Sequence, residues 1–169
     1  STYILTLVNC EISNNTIVNS WSGISFAFNI GGSCKISNNI ITNCSHNGIY
    51  KAPGSTVTLT NIYNDILNNS INYNGTLAGI GSISTDPLFA DIIAKDFHLK
   101  SQYGRWNGIS WINDLITSQC IAAGDPTSVN TLSPWGGIIE IGAYGNTPEA
   151  SNYQLITCPT PICNINITQ

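Results

Sequence analysis

Charge is what this chain lacks most. Of its 169 residues, 8% are Asp, Glu, Lys or Arg, against roughly 25% in an ordinary soluble domain. A solvated helical bundle needs Lys and Glu along its outer faces, so the shortage argues against one; it argues equally against disorder sustained by charge. Five Lys and Arg in all, with a formal net charge of −4, leave no basic face for phosphates, and nucleic acid is not an expected partner. Methionine is absent, and His46 and His98 are the only histidines. None of the six cysteines, Cys10, Cys34, Cys44, Cys120, Cys158 and Cys163, stands in a Cys-x-x-Cys pair, so a zinc site is not expected. No apolar run approaches the roughly 18–20 residues of a membrane-spanning helix. The sequence opens at Ser1 with neither a basic stretch nor a cleavable apolar one, which reads as a mature form or a fragment.

Asparagine is what the chain has in excess. Its 22 Asn and 15 Gly are poor helix interiors and good turns, so the composition favours short strands joined by many bends. Five Asn-x-Ser/Thr sequons occur, at Asn14, Asn43, Asn68, Asn74 and Asn166, and are candidate glycosylation sites. With an even number of cysteines they point to an oxidising, extracellular or cell-surface setting.

An internal repeat then sets the fold expectation. Cys10-Glu11-Ile12-Ser13-Asn14-Asn15-Thr16-Ile17 recurs 24 residues on as Cys34-Lys35-Ile36-Ser37-Asn38-Asn39-Ile40-Ile41, followed by Asn19 over Asn43 and Gly23-Ile24 over Gly48-Ile49. A looser copy runs through Val57, Leu59, Asn61, Asp65, Ile66 and Asn68. Apolar residues alternate or pair, and Asn pairs interrupt them, which no helix explains. A period in the low twenties predicts one coil of a parallel β-helix. Coils about 4.8 Å apart would stack like residues in columns: Ile12 over Ile36, Ile17 over Ile41, and one of the Asn columns, 14/38 or 15/39, as an inward amide ladder. Glu11 and Lys35 share a column and are expected to form an outer ion pair. Cys10 and Cys34 are spaced for a disulfide or for an inward thiol stack; Cys158 with Cys163 is expected to clip a small loop, leaving Cys44 with Cys120.

These motifs resemble the right-handed parallel β-helix repeats of the pectate-lyase-like superfamily. Ile83-Ser84-Thr85-Asp86-Pro87-Leu88-Phe89-Ala90-Asp91 and Asp96-Phe97-His98-Leu99-Lys100 are similar to the segment after the last coils of bacterial surface β-helix proteins. Gln119-Cys120-Ile121-Ala122-Ala123-Gly124-Asp125-Pro126 and Ile141-Gly142-Ala143-Tyr144-Gly145 are similar to their closing segment. Gln119 and Ala122 depart from the Pro and Asp found there. The resemblance implies an all-β fold, a right-handed parallel β-helix with an irregular C-terminal cap: coils over 1–80, then final coils and closing segment over 81–150. The tail over 151–169 lies outside the resemblance, and its alternating end, Cys163 to Gln169, is expected to add as a strand to a neighbouring subunit.

Chemistry is sparse in the coils, where Glu11, Lys35, His46, Lys51 and Asp65 are the only titrating groups besides thiols and tyrosines up to Tyr73. No column carries two acids, so neither a lyase's metal cluster nor a glycosidase's carboxylate pair is expected there. Asp86, Asp91 and Asp96, five residues apart, either gather around Ca²⁺ or start turns and cap loops; no other cofactor is expected. Arg105 is expected to tether the cap through carbonyls, and His46 and His98 to be surface or packing residues. Trp106, Trp111 and Trp135 read as cap packing, whereas Trp21, at a bend between coils, is the candidate carbohydrate contact. The expected function is therefore a non-catalytic extracellular structural protein that assembles with copies of itself, end to end, through an open coil edge and the tail. The alternative is a polysaccharide-binding or lyase-like module.

Overall fold

A computed structural model describes residues 5–154, with side chains from Cys10 onward, and every regular element among them is a strand. Nine short strands make three coils. One parallel sheet holds β1 (Leu5–Ser13), β4 (Ile30–Ser37) and β7 (Thr58–Ile62). A second holds β2 (Thr16–Val18), β5 (Ile40–Thr42) and β8 (Asp65–Leu67). The third holds β3 (Ile24–Phe26), β6 (Asn47–Lys51) and β9 (Ile71–Asn74). Each strand pairs with its counterpart one coil away rather than with its chain neighbour, so the coils stack in a β-helix-like solenoid.

The register is the one the repeat predicts. Cys10 pairs with Cys34, Ile12 with Ile36 and Ile17 with Ile41; Leu59, Asn61 and Ile66 continue those columns. Left-handed residues turn the corners in two columns, Asn14, Asn38 and Tyr63 at φ 54°, 57° and 52°, and Asn19, Asn43 and Asn68 at 54°, 58° and 54°. Asn dominates both because its short polar side chain tolerates that region. The ladder is the 15/39 column, extended by Asn64. Asn15 Nδ2 donates to Asn39 Oδ1 at 3.0 Å, and Asn39 Nδ2 donates to Asn64 Oδ1 at 3.0 Å. The same amides take up bend backbone: Asn39 Oδ1 accepts from Asn15 N, and Asn39 Nδ2 also donates to Ile12 O and Ser37 O.

Inside the coils, Ile24, Ile36, Ile41, Ile49, Val57 and Ile66 pack with Phe26, Cys34 and Cys44. The closing segment, residues 85–154, carries two antiparallel pairs, β10 (Phe89–Asp91) with β11 (Asp96–Leu99) and β12 (Arg105–Trp106) with β13 (Trp111–Ile112). It lies over the outer face of β5. Ile41 points into the coil, while Ile40 joins Leu99, Cys120, Ile121 and Ile141 in a second buried cluster. This explains the adjacent isoleucines: β5 is covered on both faces. Gly142 N donates to Asn38 O at 2.8 Å, Asp125 N to Asn38 Oδ1 at 2.7 Å and Asn14 Nδ2 to Gly142 O at 3.3 Å.

Glu11 and Lys35 do share a register position, but the expected ion pair between them is replaced. Lys35 Nζ reaches Asp125 Oδ2 at 3.0 Å, because the closing segment brings that buried carboxylate over the coil. Cys10, Cys34, Cys44 and Cys120 are free thiols. Cys10 and Cys34 form a thiol stack, in which burial, and then Cys10, pushes the Cys34 thiol up to about 12. Cys44 and Cys120 lie in separate buried clusters, so the pairing expected between them is not formed. Cys158, Cys163 and the tail from 155 to 169 lie outside the described residues. The cap tryptophans pack together as expected, with ring centroids 5.5 Å apart for Trp106 and Trp111 and 5.1 Å for Trp111 and Trp135.

Asn39 is the rung on which two coils depend. Replacing it with Ala takes the acceptor from Asn15 N and the donor from Ile12 O, whereas Ser37 O keeps the Asn14 N–H and Asn64 Oδ1 keeps the backbone N–H of residue 39. Asn39→Ala is expected to lower stability by about 1–3 kcal/mol, measured by denaturant unfolding, while Asn43→Ala, at an exposed corner, costs less.

Candidate functional site

Strand alternation decides which residues the third sheet shows to solvent. Ile24 and Phe26 point inward, so Ser25 points out; one coil on, Tyr50 takes its place, and then Asn74. Beside this column runs the bend that follows Asn19. Trp21 sits there, and His46 occupies the equivalent bend one coil later, its N–H bonded to Trp21 O at 2.8 Å. Gly23 and Gly48 recur at the start of these strands because a Cβ at Gly23 would collide with the Gly48 carbonyl.

The two columns enclose a groove of about 400 Å³ lined by Trp21, Ser25, His46, Asn47, Tyr50 and Asn74, with Ser22 and Ala27 at its edge. Trp21 is 71% exposed, the largest aromatic surface on the coils, and its ring tilts against His46 at 5.1 Å between centroids. Asn74 Nδ2 donates to Asn47 Oδ1 at 3.0 Å, which fixes both amides at the groove floor. No carboxylate lines it. The groove therefore offers aromatic faces, hydroxyls and amides, the groups that bind polyhydroxylated rings.

Ionic chemistry is gathered elsewhere, in the closing segment. His98 has Asp96 Oδ1 at 2.6 Å from Nδ1 and Glu149 Oε2 at 3.1 Å from Nε2, and its ring stacks on Tyr144 at 3.7 Å. Arg105 grips Asp114 with Nε and Nη2 at 2.9 and 3.1 Å and lies 3.6 Å from Asp96. Arg105 thus tethers the cap as expected, but through carboxylates rather than carbonyls. Burial works against the Asp114 charge, yet the hydrogen bonds from Arg105 and Ser101 outweigh it and hold its carboxyl below the usual range. Cys120 Sγ donates to Asp65 Oδ2 at 3.1 Å, both wholly buried, and burial raises the Asp65 carboxyl. These contacts tie segments together; His98 and Arg105 are buried.

The acids considered for Ca²⁺ do not meet as a trio, although Asp91 and Asp96 are register partners across β10 and β11. Asp86 accepts from Leu88 N and Asp91 from Ile93 N and Ala94 N, each capping its own loop, whereas Asp96 serves His98 and Arg105. Among the described residues no three His, Cys, Asp or Glu side chains group as a metal site. Of the sequons, Asn43 and Asn68 are exposed corners, Asn14 is spent on Gly142 and Asn74 lies in the groove; Asn166 lies outside the described residues. Trp21 was legible in the sequence. Tyr50 and Asn47 were not singled out and Asn74 only as a sequon, although carrying the repeat from Ser25 to Tyr50 would have found the column.

A family profile described as disaggregatase related matches residues 12–124, the coils and the first part of the closing segment. The chain belongs to the disaggregatase-related family. That family match ends at Gly124, just before the Asp125 that anchors Lys35. No curated protein and no solved structure matched the chain. Among the described residues no helix is long and apolar enough to cross a membrane.

The Lys35–Asp125 contact holds the disaggregatase-related coils to the segment beyond the match. Burial opposes the Asp125 charge, but Thr127 and then Lys35 hold its carboxyl below the usual 3.8. A depressed carboxyl stabilises the fold above its ordinary value and loses that contribution as pH falls through the lower folded one. Asp125→Asn is therefore expected to speed hydrogen exchange at Gly124 and Ser128 at neutral pH, with the difference from the parent shrinking below about pH 4.

Proposed function

We propose that this disaggregatase-related chain is a right-handed parallel β-helix module, secreted or displayed at a cell surface, that binds polysaccharide without cleaving it through the groove beside Trp21. One observation carries the reading: an indole that is 71% exposed stands over a groove with Tyr50, His46 and two pinned amides and no carboxylate. Leaving an indole that open is costly unless a partner covers it, and the face of a sugar ring is a flat, weakly polar match. The two columns run along the stack, so a glycan lying in the groove crosses the coils rather than following a strand. The description of the family, disaggregatase related, supports a role at material held in aggregates. Sequons at the exposed Asn43 and Asn68 support an extracellular site, where glycans could be carried as well as bound.

End-to-end assembly is the second reading, and a specific feature favours it. A groove of about 790 Å³ runs along the β7 edge between Leu59–Ile62 and Gly75–Gly79, with Leu77 and Ile80 81% and 73% exposed beside it. Part of that rim is already taken. Ile80 O accepts from Tyr63 N, Ile83 O from Ile66 N, and Ile83 bridges to Asp65. A second copy cannot extend all three sheets there without displacing residues 80–84, which places this reading behind the first.

Trp21→Ala is expected to weaken binding to the polysaccharide recognised by about tenfold, from the lost stacking. Tyr50→Ala is expected to weaken it less and Trp106→Ala not at all. Affinity electrophoresis through gels containing neutral or uronate polysaccharides checks this. Equal mobility of the parent and Trp21→Ala in every gel would remove the carbohydrate reading, and filaments in negative stain would promote the second.

A further inference from the structure

Of the two buried acids of the closing segment, Asp125 is paired with Lys35, whereas Glu140, 4% exposed, has no cation beside it. Its position matters to the whole segment. Ile139 O accepts from Gly124 N and Ile141 N donates to Cys120 O, so Glu140 lies between the two bonds that join the chain at 120–124 to the chain at 139–141. Its Oε2 accepts from Ser151 N at 3.0 Å, and Ser151 Oγ in turn donates to Leu99 O at 2.7 Å. Glu140 therefore sits where the turn before Asp125, the stretch before Gly142 and the stretch that follows Ala150 are joined.

The other oxygen, Oε1, is buried with no partner. So is Asn130 Oδ1, whose amide nitrogen donates to Gly136 O and Gly137 O at 3.0 and 3.1 Å. Both residues line one small cavity of about 10 Å³, with Ile121, Ser133, Ile138, Ala150 and Tyr153 around it. Two residues lining one small space thus each hold a buried acceptor that lacks a donor, and the space suits a single water. A hard cation would want six or more oxygens, and only these two are unpartnered there. The titratable neighbours are Tyr144, which feels Glu140 together with Asp96 and Glu149, and Tyr153 in the cavity wall; no Lys, Arg or His lines it.

We propose that Glu140, protonated and joined to Asn130 through one water molecule, latches the closing segment onto the coils, and that the latch loosens when this carboxyl ionises. The neutral acid donates to the water, the water donates to Asn130 Oδ1, and Oε2 keeps the Ser151 N–H. Ionised, the carboxylate leaves a full charge in an apolar wall with one N–H and one water to hold it. The direction of titration agrees: burial, opposed by the Ser151 N–H, raises Glu140 from 4.5 to about 8. A raised carboxyl keeps its proton in the fold and loses it in the opened chain, so stability falls as pH rises from about 4.5 to about 8 and is level beyond.

The test is hydrogen exchange at Gly124, Ile141 and Ser151 between pH 5 and 9, in the parent and in Glu140→Gln, whose amide donates where the neutral acid does. Corrected for intrinsic rates, the opening constant of the parent should rise by up to about tenfold per pH unit up to pH 8 relative to the variant. Asp65, also raised by burial, contributes the same slope to both and cancels. Parallel pH dependence in the two proteins would overturn the proposal. So would slowing of the parent's exchange by CaCl₂ that Glu140→Gln does not share, since a cation would then be the missing partner. Should Glu140→Gln fail to fold, ¹³C-labelled glutamate decides within the parent, which has only Glu11, Glu140 and Glu149. One carboxyl resonance should titrate near pH 8, and three resonances all titrating below pH 6 would refute the latch.

Discussion

The asparagine ladder Asn15–Asn39–Asn64 is the constraint on which the architecture rests. Parallel coils satisfy their strand backbones by pairing, but the corners between sheets have no strand to pair with, and a buried unpaired amide or carbonyl is costly. Asn39 and Asn64 each answer both corner needs at once, accepting from a backbone N–H of the preceding coil and donating to a backbone carbonyl of that coil while bonding the asparagine there. Asn38, beside Asn39, takes the left-handed turn and offers its side-chain oxygen outward to Asp125. Two neighbouring asparagines thus divide the work: one closes the corner inside, the other fastens the closing segment outside.

Covering one outer face and leaving another open separates the molecule's two chemistries. The closing segment takes the face of β5, where Ile40 and Ile141 replace water with apolar contact. It also carries most of the charge, part of which is paired there, Arg105 with Asp114 and Asp125 with Lys35 of the coils. The face of the third sheet stays open and carries Trp21, Tyr50 and the amides. The ligand proposed for that face meets stacking and hydrogen-bonding groups, whereas the cap is held by buried polar contacts.

Much of this was legible residue by residue. The repeat located Ile12 over Ile36 and Ile17 over Ile41 because a coil of fixed length stacks like on like, and those pairs are in register. It left two asparagine columns equivalent, since a pair of neighbouring Asn carries no mark of which faces in. It put Glu11 opposite Lys35 correctly and drew the wrong partner, because Asp125 stands 90 residues further along. Trp21 was found as an apolar residue at a bend; its companions were not, since Tyr50, Asn47 and Asn74 become a surface only when coils are superposed.

What the sequence by itself determined, then, is the winding: period, register, left-handed corners and the aliphatic bore all follow from local residue preferences repeated at one interval. What only the tertiary structure decided is everything that crosses from one winding to the irregular chain beyond it. Lys35 with Asp125, Asp65 with Cys120 and the sealed oxygens of Glu140 and Asn130 depend on where a non-repeating segment lands. The physical reason is that stacking propagates a local pattern, whereas a loop's landing place is set by which buried polar groups and apolar faces remain to be covered once the coils have formed.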